Sequence, residues 1–390
     1  MTRNNFTIPD FQKVRIAHLT TVHPRVDGRI RIKEVGSLAN HFKEPVALFV
    51  QDGKGDSVET GNMIKIIDIG SPPAGRLARM ALGVWRMGRA VFALKPEIVH
   101  FHDPELIPLG FVFKICGFKV VYDAHEDVPR DILTKFWLPS VIRHPISWAM
   151  SAIEWLAGQS FHAIVPAEPH IATRFPAQKT VLVQNYPILN ELTEPEPPDY
   201  KQRPPHFAYI GGISSTRSIR EMVESLEHTE NRDIKLQLAG RFGPPGLRQE
   251  IEVLTGWKQV EFSGWVNRRQ AAKILNNVRA GLVVLSPTPR LLTVYSTKMF
   301  EYMSVGLPVI ASDFTICRQI INKLGCGLLV DPSDPRTIAN AMRWILNNPE
   351  KAEMMGQRGR KAVEEIYNWE HEGDKLVSLY KKLLPERREL

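Results

Sequence analysis

Cysteine is scarce in this 390-residue chain: Cys116, Cys317 and Cys326 are the only three, with no CxxC pair among them. That gives no basis for a disulfide framework or a structural zinc site, and it fits a reducing cytoplasm. Long apolar runs are missing as well. No stretch reaches the ~18 residues a spanning helix needs, and the polar start Met1 to Lys13 lacks the apolar core of a signal peptide. The expectation is a protein neither secreted nor integral to a membrane. No GxGxxG opens either half, which argues against a dehydrogenase. RGG runs, zinc-finger spacings and basic stretches interleaved with aromatics are also lacking, so nucleic acid is not an expected partner despite a net charge of +8.

What is present is an ordinary globular composition, 43% hydrophobic, 24% charged and 8% aromatic, which excludes collagen, coiled-coil and disordered classes. The length, about two and a half times a typical ~150-residue domain, predicts two domains. The basic balance suits a phosphorylated substrate or anionic lipid.

Short β-branched runs alternate with segments of helical period in both halves, the signature of parallel sheets covered by helices. The first half reads as strands Val14 to Leu19, Val46 to Val50, Ile98 to His102, Lys119 to Asp123 and Ala163 to Val165. Helices are expected at Ile30 to His41, Arg76 to Leu94 and Leu106 to Cys116. After the proline-rich stretch the pattern restarts with strands Phe207 to Ile210, Ile234 to Leu238, Val260 to Phe262, Leu282 to Leu285, Val309 to Ser312 and Leu328 to Val330, and a helix Ile219 to Leu226. The expected organisation is a first domain over 1–190, a linker over 191–206 and a second domain over 207–369. Lys361 to Leu383 reads as helix, and residues 370–390 are expected to rejoin the first domain. The fold class is α/β, two doubly wound Rossmann-like domains facing a cleft, with ligands at the carboxyl ends of the strands.

Three clusters lie at such ends. In the first, His100-Phe101-His102-Asp103 and Asp123-Ala124-His125 follow neighbouring strands. His100 and His102 share a strand face, so with Asp123 and His125 they could hold a metal in a hydrolase; alternatively they are buried and bonded to carbonyls or to Asp103. His125, beyond its strand, is the better candidate for touching a substrate. The second cluster is Ser296-Thr297-Lys298 through Glu301 to Gly306-Leu307-Pro308: a short capped helix whose first amides and Lys298 could receive a diphosphate, with Glu301 accepting from ribose. In the third, Gly211 and Gly212 allow backbone amides to approach an anion, and Arg217 could neutralise phosphate; a plain turn is the alternative.

These clusters, in this order in two domains, resemble a family 4 glycosyltransferase of the GT-B fold over nearly the whole chain. His23-Pro24-Arg25-Val26-Asp27-Gly28-Arg29, His100 to Glu105 and Tyr122 to Asp127 are similar to a bacterial surface-polysaccharide branch of it. The resemblance implies retention of anomeric configuration and no required cofactor or metal. It gives His125 and Arg217 catalytic roles. Donor binding falls to Gly211, Gly212, Arg217, Arg241, Ser296, Thr297, Lys298 and Glu301, with the backbone of Gly264-Trp265-Val266 reading the base. His23, Asp27, Arg29 and Asp103 become acceptor-side candidates. The implied donor is a nucleotide-diphosphate hexose, UDP in preference to GDP, and the acceptor a polysaccharide or lipid-linked saccharide. Departures occur at Thr293, where the family's paired glutamates would place the first, at Gly212 in place of an arginine, and at the first-domain loop His23 to Gly28, which lacks a glycine pair.

Between Lys13 and Lys95 there are fourteen lysines and arginines against seven acids, and on Arg76 to Leu94 the residues Arg76, Arg79, Arg86 and Arg89 fall on one broad face. That helix could rest on anionic lipid, placing the enzyme on the inner face of the plasma membrane, or pack on its own sheet with a solvated basic face. Other readings are a nucleotide-sugar epimerase, the metal-dependent hydrolase, and a sugar-nucleotide sensor without turnover.

Overall fold

Runs such as Val46-Ala-Leu-Phe-Val50 have no polar side to turn to water, and they form strands buried on both faces. The computed structural model describes residues 14–384 except 60, 62, 76, 77, 136 and 137. The polar start, Arg76 and Leu77 at the head of the expected basic helix, and the last residues of the C-terminal segment therefore lie outside the described residues. The chain divides into two units: residues through Asn185 together with those from Glu372 onward, and Tyr186–His371.

Among the described residues the first unit holds a seven-stranded sheet of β1 (Ile16–Leu19), β2 (Val46–Val50), β3 (Ser57–Glu59), β4 (Ile64–Asp68), β5 (Ile98–Phe101), β6 (Lys119–Ala124) and β7 (Ala163–Pro166). Its order is β3-β4-β2-β1-β5-β6-β7, parallel except for β3 against β4. The second unit holds β8 (His206–Ile210), β9 (Lys235–Ala239), β10 (Val260–Gly264), β11 (Ala280–Val283), β12 (Val309–Ser312) and β13 (Gly327–Val330), in the order β10-β9-β8-β11-β12-β13, all parallel. The strand order reverses beside β1 and β5 in one sheet and beside β8 and β11 in the other. Ligands of doubly wound sheets bind outside the carboxyl ends at such switch points. Both sheets are of the doubly wound, Rossmann-like kind expected.

Several boundaries differ from expectation. Residues 30–41 form two consecutive helical segments, Gly28–Val35 and Gly36–Phe42, started two residues early because the Asp27 carboxylate accepts from the amides of Arg29 (2.8 Å) and Ile30 (2.9 Å). Lys361 to Leu383 is broken into Pro349–Glu365 and Trp369–Leu383. Asn368 makes the break: its amide donates to the carbonyls of Val363 and Glu364 while its oxygen accepts from the His371 amide. From Glu372 on, this last helix is part of the first unit, where Leu376 and Tyr380 are buried. The stretch 191–206 packs within the second unit and is no free tether: Leu192 enters its core, and the Tyr200 hydroxyl donates to the Arg279 carbonyl at 2.7 Å. On the basic helix, Arg79 stands 3.4 Å from Glu105, Arg86 donates to the Ser71 carbonyl and the Arg89 guanidinium lies 5.8 Å from the centre of the Trp85 ring, so each of the three described arginines has a protein partner. No helix among the described residues is long and apolar enough to cross a membrane.

At Gly281 in β11 a sheet strand and a helix of the second unit approach closely. A Cβ there would stand 2.1 Å from the ring of Tyr302, whose hydroxyl accepts from the Ile210 amide at 3.0 Å. Overpacking of this kind costs about 1–3 kcal/mol. Gly281→Ala should lower the urea midpoint of the second unit accordingly; an unchanged midpoint would show that Tyr302 can move aside freely.

Candidate functional site

In the first unit, β1 and β5 run in register with His18 opposite His100, so three histidines meet at the carboxyl edge of the sheet. His18 Nδ1 is 3.0 Å from His102 Nε2, and the Tyr380 hydroxyl bridges His18 (3.1 Å) and His100 (2.8 Å). His102 Nδ1 lies 3.0 Å from the Asp123 carboxylate. His100 and His102 are thus buried as one reading had it, but their partners are Tyr380, His18 and Asp123, not backbone carbonyls or Asp103. Burial, followed by mutual repulsion, holds His18 and His100 well below the usual histidine range, so this cluster is neutral.

Arg29, expected on the acceptor side, is turned inward. Its guanidinium donates to both Asp123 oxygens at 3.2 Å and to the Val183 carbonyl at 2.9 Å, and stands 3.0 Å from Glu34. Burial works against charge on Asp123, but Arg29 outweighs it and keeps that carboxylate ionised. Burial and the charge on Asp123 push Glu34 well above the usual carboxyl range. Glu34, His100, His102 and Asp123 each bring one donor atom within 4.8 Å of the others, a set that could hold a metal ion. A cation there would meet the Arg29 guanidinium, which already matches the one ionised carboxylate. The metal-hydrolase reading is not favoured.

Above this layer the partly exposed residues gather. His125 lies past the end of β6, with Nε2 3.2 Å from His23 Nε2 and Nδ1 3.5 Å from Asp123. His23 is 3.6 Å from Asp27 and 3.5 Å from Asp103. Burial disfavours charge on both His23 and Asp27, yet their pairing prevails: His23 is raised, and Asp27, also held by two backbone amides, is lowered to about 2. Asp103 is itself buried, fixed by the Thr20 hydroxyl at 2.9 Å and by Thr21. It anchors the loop that carries His23.

In the second unit β8 is followed by Gly211, whose φ of +142° only glycine adopts readily and over which the Lys298 side chain lies; a Cβ at Gly211 would be 2.3 Å from Lys298 Cε. Gly212 is exposed beside it, its carbonyl accepting from the Tyr209 hydroxyl at 2.6 Å. Lys298 is the second residue of the helix Thr297–Ser304. Ser296 sits at its cap position, but its side chain makes no capping bond, so no side chain closes the first amides. Burial, followed by the nearby charge of Arg217, lowers Lys298 to about 8. Among the described residues neither Lys298 nor Arg217 forms an ion pair, because the nearby Glu301 is taken by Arg268 at 2.8 Å, which also holds Glu191. Any ribose would share Glu301 with that arginine. Arg241 follows β9 with its guanidinium 5.9 Å from the centre of the exposed Trp265 ring, and the Gly264 carbonyl accepts from the Gly240 amide at 2.7 Å, bringing Gly264 to Val266 alongside. Thr293 is exposed, its hydroxyl bonded to the Arg290 carbonyl.

The chemistry this arrangement supports is anion binding at a helix start, on residues 211–301. Residues 192–362 match the family model for glycosyl transferases group 1. The matched residues lie within the second unit. The chain is a transferase enzyme. Over 319 residues it is 24% identical to the MMP alpha-(1->4)-mannosyltransferase of Mycolicibacterium hassiacum, covering 77% of this chain and 74% of that one. Other curated relatives are matched over less than half of their own length. Among solved structures, sucrose-phosphate synthase from Thermosynechococcus elongatus superposes with a TM-score of 0.71 at 18% identity, covering 94% of this chain and 98% of that one. HepE from Anabaena, solved with UDP and glucose, gives 0.71 at 13% identity, covering 94% and 99%. These likenesses show the GT-B fold.

Sequence reasoning missed His18, Glu34, Tyr380 and Arg268 in this glycosyltransferase. For His18 a signal existed: it stands on the first strand two residues before Thr20, the same place His100 takes before His102. The raised His23 contributes stability that is fully present below its unfolded value of about 6.5 and is lost as pH rises through its higher folded value. The difference in unfolding free energy between wild type and His23→Gln should therefore shrink from about pH 6 to about pH 8. A constant difference would mean that the His23–Asp27 pairing contributes nothing.

Proposed function

We propose that the protein is a retaining glycosyltransferase, similar to family 4, that moves a hexose from a nucleoside-diphosphate sugar to a saccharide or lipid-linked saccharide in the cytoplasm. One observation carries this reading: Lys298 and Arg217, two cations without carboxylate partners, flank a helix start whose amides no side chain caps. A partly buried ammonium lowered to about 8 beside a second cation is an unfavourable arrangement that a diphosphate would relieve. The diphosphate rests on Gly211, Gly212, Ser296, Thr297 and Lys298, with Arg217 and Arg241 adding charge. Glu301 takes the ribose alongside Arg268, and the backbone through Val266 takes the base. The UDP of the HepE structure and the mannosyltransferase likeness favour UDP and a hexose.

For the chemistry, the bond from the sugar's anomeric carbon to the diphosphate oxygen breaks while the acceptor oxygen bonds to that carbon on the same face. The acceptor's proton passes to the departing phosphate oxygen, so no separate base is required. Stabilising the negative charge on the leaving group is the main demand, and Arg217, Lys298 and the helix amides meet it. No metal or other cofactor is needed for these steps. His125, partly exposed beside His23, has the role of touching the transferred sugar, and His23 and Asp27 that of meeting the acceptor.

Thermal unfolding with UDP, GDP and ADP, each with and without chelator, tests the reading; a ligand at 100 times its dissociation constant stabilises by ~2.7 kcal/mol. A chelator-insensitive shift with UDP is expected. No shift with any nucleotide would reject the donor site. Affinity for UDP should fall as pH rises through about 8, because above that value the free Lys298 must first regain a proton, and Lys298→Met should flatten that profile. Arg217→Ala should lower turnover about a hundredfold with the fold intact; near wild-type turnover would remove it from the mechanism.

A further inference from the structure

The helix Ser140–Ser160 is built inside out. At 100° per residue its inward arc carries Arg143, Ser147, Ser151 and Glu154, with only Met150, Ala157 and Gly158 for apolar contact. Those polar groups are satisfied within the unit: the Ser147 hydroxyl donates to the Pro129 carbonyl at 2.8 Å, and Glu154 accepts from the Tyr122 hydroxyl at 3.1 Å and from Arg174. The outward arc holds Val141, Ile142, Trp148, Ile153, Trp155 and Leu156, with Val141 80%, Trp148 70% and Trp155 57% exposed. Val141, Trp148 and Trp155 are seven residues apart and so form one stripe, about 21 Å long. Besides the indole N–H groups of Trp148 and Trp155, only His144 and Gln159 among the exposed side chains of this arc can form hydrogen bonds.

The neighbouring helices extend the same character. Ile107–Ile115 packs alongside and presents Ile115, 85% exposed. Beyond it Val84–Leu94, joined through Phe92 and Phe113 with ring centres 5.4 Å apart, presents Trp85. Across the three helices the bases are Arg86, Arg89, Lys114 and Arg143, and the single acid is the buried Glu154.

We propose that this face of the first unit docks on an anionic lipid bilayer, with Trp148 and Trp155 at headgroup depth. Apolar patches of this size on a water-exposed surface mark an interaction site. A protein partner would be met by roughly one hydrogen bond per 100–200 Å², and apart from two indole donors the arc offers only His144 and Gln159 to make them. A bilayer asks only for apolar area, aromatic side chains at the interface and positive charge, which are what the three helices supply. The basic helix of the sequence reading becomes the flank of this surface, with Arg89 as its exposed charge. The inference rests on the surface alone and stands whether or not the diphosphate site is correct.

The test is flotation of the full chain with vesicles of phosphatidylcholine alone and with added phosphatidylglycerol, for wild type and for the Trp148→Glu/Trp155→Glu double variant. Both positions are exposed, so an unchanged thermal midpoint confirms an intact variant. Wild type should float with anionic vesicles and much less with neutral ones, and the double variant should lose binding by about tenfold or more. Wild type that ignores both vesicle types overturns the proposal, as does binding that the substitutions leave untouched. Dimers in solution that the double variant dissociates, with no vesicle binding, would give the face to a second copy of the chain instead.

Discussion

Arg29 brings one positive charge into a buried space that holds two carboxyl groups, and the edge of the first sheet is arranged around that inequality. Burying unmatched charge costs several kcal/mol, so the neutral solution is one ionised carboxylate and one protonated one. Asp123, accepting from the Nε and Nη2 of Arg29, takes the charge, and Glu34 stays neutral. Because Arg29 also donates to the Val183 carbonyl, the same side chain fixes the Gly28–Val35 segment, the end of β6 and the chain near residue 183. His102 hangs on Asp123, His18 on His102, and Tyr380 joins His18 to His100. The position of His125, 3.5 Å from Asp123, follows from that framework.

The second unit shows the opposite electrostatics. Its carboxylate nearest the helix start, Glu301, is taken by Arg268, which leaves Lys298 and Arg217 to repel each other. One unit has a closed, neutral hydrogen-bond network under a thin layer of partly exposed histidine and aspartate. The other keeps a surplus of positive charge next to unclosed amides. The first arrangement suits holding side chains still, and the second suits receiving an anion.

The fold was legible in the sequence wherever a strand was a continuous apolar run, because such a run admits only a position between two helical layers. The edge strand Ser57–Glu59 and its neighbour Ile64–Asp68 were not, since few of their side chains are fully buried and the runs look like loop. Helix Ser140–Ser160 escaped for a related reason: its apolar residues mark the solvent face, so the pattern does not point to a core. The residues that close the candidate sites are far away in the chain. Tyr380 lies 280 residues from His100, and Arg268 lies 33 from Glu301. Local patterns identify the groups that stand at strand ends; which of them are silenced by a distant partner is a property of the packed chain. Arg29 shows the difference plainly, since as a residue type it reads as a surface base.

Tyr380 also sets an order of events. The hydroxyl that ties His18 to His100 is delivered by almost the last helix of the chain, while everything else in that histidine cluster is made within the first 125 residues. During synthesis the second unit, continuous from Tyr186 to His371, is complete before the first one is. The first-made half of the protein is therefore finished last, and a chain stopped short of residue 380 would carry a fully encoded second unit beside a first unit whose central hydrogen-bond bridge is missing.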